Sequence, residues 1–155
     1  MKKLTSYLLL IALSSITIAA DKHSLSFKKI TVPEAPPVAA VMVAYMDITN
    51  SSNKAKTIKQ ISSPQFKRVE IHNMSMSDGM MKMEQMQSLK IKPRATVKLE
   101  TGGLHIMLIK PVKPLKHGDK IELTFKLASG ELTTISSSVQ KVDLTDSHKH
   151  HHHHH

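Results

Sequence analysis

Residues 66–86 read F-K-R-V-E-I-H-N-M-S-M-S-D-G-M-M-K-M-E-Q-M. Apolar and polar residues alternate from Phe66 to Met76, which places Val69 and Ile71 on one face of a strand. The segment 77–79, Ser-Asp-Gly, is typical of a hairpin turn, and residues 80–86 would return as the partner strand. This stretch therefore predicts a β-hairpin.

Short β-prone runs separated by turn signals continue through the rest of the chain. No segment shows a helical period over about eleven residues, and the prolines around residues 33–37 mark a stiff connector. The pattern predicts an all-β fold in a single domain, a Greek-key β-sandwich or barrel. The other predicted strands cover 24–32, 38–50, 56–62, 89–91, 96–99, 104–109, 120–127 and 132–142.

The two ends of the chain differ from this β pattern. Residues 1–20 have a positive start, a short run dominated by apolar residues and a small-residue close, which is typical of a secretory signal peptide. We expect cleavage near Ala20, a folded domain over 21–145 and no stable membrane insertion afterwards. Residues 146–155 form a histidine-rich tail, either a purification tag or a native extension that would bind divalent metals such as Cu(II).

Composition excludes several classes of protein. The chain has no cysteine, which excludes disulfides, thiolate ligands and a blue-copper centre. It is basic, with a formal net charge of +10, but the lysines are dispersed and only two tyrosines and three phenylalanines occur. Because stacking platforms and a basic helix are missing, nucleic acid is not expected as a partner. The charge instead predicts a solvated basic surface that assists docking onto acidic partners.

The run L-H-I-M-L-I at 104–109 places two candidate metal ligands side by side. In a strand, its leucines and Ile106 alternate towards the core, with His105 and Met107 together on the opposite face. These two residues would lie about 6–7 Å apart along the strand, a span that one metal ion can bridge.

The hairpin supplies a second pair of candidates. His72 follows the core residue Ile71 and so faces away from the core, and Met83 lies on the returning strand. Six methionines fall between residues 74 and 86, among polar neighbours. Methionine also fills gaps in cores and forms adaptable apolar surfaces for peptides. Thioether sulfur favours Cu(I), and imidazole adds affinity without charge, so the pattern favours a Cu(I) site in an oxidising compartment.

The spacing of these residues resembles a known family. Ten residues separate His72 from Met83, twenty-one separate Met83 from His105, and Met107 completes an H-x-M. In order and spacing this is similar to the motif of the PCuAC family of periplasmic copper chaperones. The similarity covers about residues 25–142, and it includes I-S-S-P at 61–64, G-G-L-H-I-M-L at 102–108 and P-L-K-H-G-D at 114–119.

The resemblance implies a cupredoxin-like β-barrel, periplasmic and monomeric, that binds one Cu(I) through His72, Met83, His105 and Met107. It also implies delivery of copper for cytochrome c oxidase assembly, to the CuA-bearing oxidase subunit or to a thiol-containing copper chaperone. Met74 resembles a methionine often found two residues after the first histidine, and it is an alternative or supporting ligand. Shielding of the site or assistance in transfer is expected of the remaining hairpin methionines: Met76, Met80, Met81 and Met86.

Other functions remain open at this point. A periplasmic copper storage or resistance protein would bind several ions through the methionine cluster and the tail. A methionine-rich peptide-binding module would need no metal. An enzyme is not expected, because the sequence assembles no nucleophile and no carboxylate pair. Of the other histidines, His117 is expected in an exposed turn, and His23 is a weaker copper candidate near the mature N-terminus.

Overall fold

The computed structural model describes residues 24–77 and 79–141, which form β-strands without a helix. The predicted all-β class is confirmed, and these residues contain no helix that could cross a membrane. The predicted signal peptide, His23 and the histidine-rich tail lie outside the described residues. The strands are β1 (Leu25–Pro33), β2 (Val41–Asn50), β3 (Lys56–Ser62), β4 (Phe66–Ser77), β5 (Met80–Met86), β6 (Leu89–Ile91), β7 (Thr96–Leu99), β8 (Leu104–Pro111), β9 (Lys120–Leu127) and β10 (Leu132–Gln140).

The strands join in one hydrogen-bonded sheet. Its order is β5-β4-β8-β2-β1-β10-β9-β3-β6, and β7 pairs with β2 beside that path. Neighbouring strands run antiparallel, apart from β1 and β10, which are parallel and pair through Val32 and Val139. Many neighbours in the sheet are distant in sequence, so long-range pairing organises the fold as much as local hairpins do.

The sheet curls until strands near its two ends face each other. Ile61 of β3 and Val69 of β4 line the same cleft, although these strands stand far apart in the sheet order. The enclosed apolar side chains form one core, in which the rings of Phe27 and Phe125 lie 4.6 Å apart between centroids and connect β1 to β9. The result is a closed, barrel-like arrangement around a single core.

The core fixes how β4 lies against β8. Ile71 of β4 stands opposite Ile106 of β8, and the two residues are 5% and 0% exposed. Next to them, Val69 stands opposite the fully buried Leu108. A slip of one residue would turn these side chains to the outer face. The register of the pair is therefore set by burial, and so is the set of residues on its outer face.

Several strand boundaries differ from the prediction by one to three residues, and two of the differences, in β2 and β8, have a visible structural cause. The strand predicted from residue 38 begins at Val41, because the N–H of Ala39 donates to the Pro36 carbonyl at 2.8 Å and closes a turn. β8 continues beyond Ile109 to Pro111 through Lys110, which has a positive φ of 55°. The Lys110 N–H donates to the Ala40 carbonyl at 2.7 Å, which holds this uncommon backbone conformation in place.

Candidate metal centre

The pairing of β4 with β8 brings the two predicted histidine ligands together. His72 stands directly opposite His105, and Glu70, two residues earlier on β4, stands opposite Met107. Directly opposed residues share a face of the sheet, as do residues two apart on one strand. His72, His105 and Met107 therefore lie on one face, the outer face of the strand pair.

The pairing of β4 with β5 adds the fourth predicted ligand to the same face. Met83 stands opposite Met74, which is two residues beyond His72 on β4. Adjacent strands lie about 4.8 Å apart, so the set spans roughly 10 Å from β5 to β8. Flexible methionine side chains at the two sides of this span can reach inwards over the central His72. The structure thus gathers all four predicted ligands, with Met74 next to them.

The His72 ring is held so that one nitrogen remains unused. Its Nε2–H donates to the Glu70 carboxylate at 2.9 Å, and the His72 and Glu70 side chains are 14% and 17% exposed. In the neutral form of the ring this bond leaves Nδ1 with the lone pair, because an ionised carboxylate only accepts. Nδ1 is buried and has no hydrogen-bond partner within the described residues. A buried acceptor nitrogen without a hydrogen-bond partner is chemically suited to bind a metal ion.

The His105 ring is oriented by the backbone. Its Nδ1–H donates to the carbonyl of Gly103 at 3.0 Å, which leaves the Nε2 lone pair free to bind a metal. His105 is only 5% exposed, although it lies on the outer face. The rings of His72 and His105 are 6.0 Å apart between centroids and inclined by 30°. Two imidazoles, each oriented by one hydrogen-bond partner, therefore face each other.

The two predicted methionine ligands differ in exposure. Met83 on β5 is 52% exposed, whereas Met107 is partly buried between its cross-strand neighbours Glu70 and Val43. Within 24–77 and 79–141, no three His, Cys, Asp or Glu side chains gather where they could hold a metal. A four-ligand site on this face therefore has to use thioethers, and thioethers suit a soft monovalent ion better than zinc, magnesium or calcium.

Glu70 was not predicted from the sequence as a residue of the site. Its position two residues before His72 on a predicted strand was a usable signal, because that spacing puts the carboxylate beside the imidazole. Glu70 also lies 3.7 Å from the Arg68 guanidinium. Because Arg68 is exposed, it offsets the negative charge of the Glu70 carboxylate only partly.

The hairpin methionines fall into two groups by register. Met76 and Met81 stand opposite each other on the face of the candidate site, whereas Met80 stands opposite Ser77 on the other face. The expectation that Met86 shields the site is wrong, because Met86 stands opposite Ile71 and packs against the core. His117 is exposed in a turn, as predicted.

Comparisons with known proteins agree with this architecture. A model of the LpqE-like family, described as "Putative lipoprotein LpqE-like", matches residues 25–140. The copper-bound PCuAC domain from PmoF2 has the same fold, with a TM-score of 0.64, 18% identity and coverage of 77% of this chain and 95% of that domain. The Cu(I) form of DR1885 from Deinococcus radiodurans is 27% identical, with a TM-score of 0.61 and coverage of 80% of this chain and 81% of DR1885. The predicted PCuAC resemblance and cupredoxin-like fold are confirmed.

The similarity to a curated relative covers only part of that protein. "Putative lipoprotein Lxx21020" of Leifsonia xyli subsp. xyli (strain CTCB07) is 24% identical over 103 residues, which are 66% of this chain and 62% of the relative. The aligned segment thus spans about three fifths of that relative.

Proposed function

The chain belongs to the LpqE-like family, a family of PCuAC type, and from this premise we propose that it is an exported Cu(I)-binding metallochaperone. The observation that carries the proposal is the shared outer face of β5, β4 and β8, which presents two oriented imidazoles and two thioethers on the same side of the sheet. The lipoprotein descriptions of its relatives support export, and we place the protein in the periplasm.

In the proposed site, Cu(I) is bound by His72 through Nδ1, by His105 through Nε2, and by the sulfur atoms of Met83 and Met107. All four ligands are neutral, so the ion keeps its single charge and the site selects a soft monovalent cation over hard divalent ones. Glu70 and the Gly103 carbonyl set the tautomers of the two rings before the ion arrives. This preorganisation lowers the ordering cost of binding.

The proposed role is binding and handover rather than catalysis, as is usual for PCuAC copper-binding domains. The acceptor is proposed to be the CuA-bearing subunit of cytochrome c oxidase or a thiol-containing copper chaperone. Thioether ligands exchange readily and carry no charge, so an incoming thiolate can replace them one at a time. Copper is the cargo of this protein, and the ligand set has to combine selection with release.

The first test is an anaerobic Cu(I) titration against a competing chromophoric chelator, with residues 146–155 removed so that tail histidines do not compete. We expect one tight equivalent that His105→Ala weakens by roughly tenfold or more. His117→Ala is the matched control, because it deletes an imidazole from an exposed turn outside the site. Equal affinity in both variants would overturn the proposed ligand set.

The second test addresses handover. The Cu(I) form is mixed anaerobically with a metal-free CuA-bearing oxidase domain, the proteins are separated, and copper is measured in each. A chaperone gives its ion to the acceptor, whereas a storage protein retains it under the same conditions. Retention of copper by this chain would contradict the delivery role while leaving the binding site intact.

A further inference from the structure

The end of the β4–β5 hairpin exposes an unusual number of methionines. Seven large hydrophobic residues are exposed within the described part of the chain, and four of them lie on this one hairpin. Their exposed fractions are 73% for Met76, 63% for Met80, 67% for Met81 and 52% for Met83. Scattered exposed apolar residues need no explanation, but a group on one element does.

The hairpin tip, residues 75–77 and 79–81, extends beyond the rest of the sheet. The pairing of β4 with β8 ends at Asn73 and Leu104, followed by one backbone bond from the Met74 N–H to the Gly103 carbonyl at 3.1 Å. Further along, β4 pairs only with β5 among the described strands. Core packing therefore cannot explain the apolar side chains of the tip.

Cross-strand register separates the tip methionines by face. Met76 and Met81 stand directly opposite each other, and Met74 lies two residues before Met76 on the same face. Met80 is next to Met81 in sequence but stands on the other face, opposite Ser77. One face of the tip thus carries the thioethers of Met76 and Met81, with Met74 and the proposed ligand Met83 next to them, and the other face carries one methionine among polar and charged residues.

Hairpin stability does not account for the choice of methionine. A cross-strand apolar pair contributes only about 0.2–1 kcal/mol. β-Branched and aromatic residues would supply that contribution with better strand propensity. What distinguishes methionine at such positions is its soft sulfur, which binds Cu(I) as a neutral ligand.

We propose that Met74, Met76 and Met81 form a second Cu(I) site, built from thioethers alone. It goes beyond the single four-ligand site, and it lies next to that site because Met81 is two residues, about 7 Å, from Met83 along β5. The second site lacks an oriented imidazole and is largely open to solvent, so it fills after the first site and loses its ion more easily. It gives incoming copper a position on the route to the buried histidines.

The test uses the full chain labelled with ¹³C at the methionine methyl groups and titrated anaerobically with Cu(I). Each methyl gives its own NMR signal, so copper bound to the tail does not obscure which thioethers respond. The first equivalent should shift the methyls of Met83 and Met107. Further copper should shift those of Met74, Met76 and Met81 and leave Met80 unmoved. Signals are assigned with single Met→Leu variants.

Met81→Leu and Met80→Leu are a matched pair, since both residues are exposed and adjacent but occupy opposite faces. We expect M81L to lose the later shift of Met76, and M80L to retain it. If Met76 and Met81 stay unshifted while Met83 and Met107 respond, the second site is refuted and the first stands. If all five methyls, including Met74, move together in the first equivalent, there is one shared site and the proposal is also overturned. If no methionine responds, both sites fail.

Discussion

Glu70→Gln removes a negative charge and a strong hydrogen-bond acceptor beside His72 with almost no change in side-chain size. In the native chain this carboxylate accepts the His72 Nε2–H at 2.9 Å. For a cation bound at Nδ1, the carboxylate fixes the ring tautomer and also attracts the ion across the ring. We expect the substitution to raise the Kd for Cu(I) by roughly tenfold to a hundredfold.

The size of this effect can be worked from the geometry. A cation on His72 Nδ1 would lie about 7 Å from the Glu70 carboxylate, which corresponds to ~2 kcal/mol at an effective dielectric constant of 20. Solvent reaches both side chains, which are 14% and 17% exposed, and Arg68 partly screens the charge, so about 1 kcal/mol is more realistic. The weaker amide acceptor contributes on the order of another 1 kcal/mol through looser ring orientation. The lost charge and the looser ring both weaken Cu(I) binding, and together they raise the Kd by more than tenfold.

The assay is anaerobic competition with a chromophoric Cu(I) chelator, with Glu84→Gln as the matched control. Glu84 is an exposed β5 carboxylate opposite Asn73, so its substitution changes the net charge equally on the other face of the hairpin. We expect less than about a twofold change in that variant, because exposed charges are screened. If both variants lost Cu(I) affinity equally, the loss would come from the change in net charge alone and not from the contact with His72. Unchanged affinity in E70Q would refute the role assigned to His72 Nδ1.

Three further outcomes are expected. Met83→Leu should weaken Cu(I) binding in the same assay, whereas Met86→Leu, on the core face, should leave affinity unchanged and cost less than about 1.5 kcal/mol of stability. Ile106→Ala should lower the free energy of unfolding in urea by about 2–5 kcal/mol, because the residue is fully buried. Asn50→Ala should lower it by about 3 kcal/mol or more, because the two N–H groups of this buried amide are shared among three backbone carbonyls, and Cu(I) affinity of the folded protein should not change.

The elements of this fold were readable from local patterns. Alternation around Val69 and Ile71, and the Asp-Gly turn after Ser77, predicted the hairpin that the structure contains. The spacing of the histidines and methionines singled out four residues that the structure places on one face. Their assignment as copper ligands stays a prediction. Local patterns sufficed for these features because strand periodicity and turn chemistry act over a few residues.

Pairing between distant strands was not readable in the same way. Nothing near His72 indicates that it stands opposite His105, thirty-three residues later, because that register is set by burial of Ile71 against Ile106. The burial of His105 follows from the same pairing, since alternation alone predicted only its face. Met86 was misjudged for a related reason: composition grouped the hairpin methionines, and only their register divides them between two faces.

The proposed ligands His105, His72 and Met83 become more exposed from β8 across β4 to β5. His105 is 5% exposed and the His72 side chain 14%, whereas Met83 is 52% exposed and lies on β5, an end strand of the described sheet. In the proposed handover, Met83 would therefore be the ligand most open to an incoming acceptor thiolate. The two histidines, whose orientations are fixed by Glu70 and the Gly103 carbonyl, would in that scheme lose the ion last. Under this proposal, release would start at a flexible thioether and end at rigid imidazoles, which would let one site both hold copper and yield it to a partner.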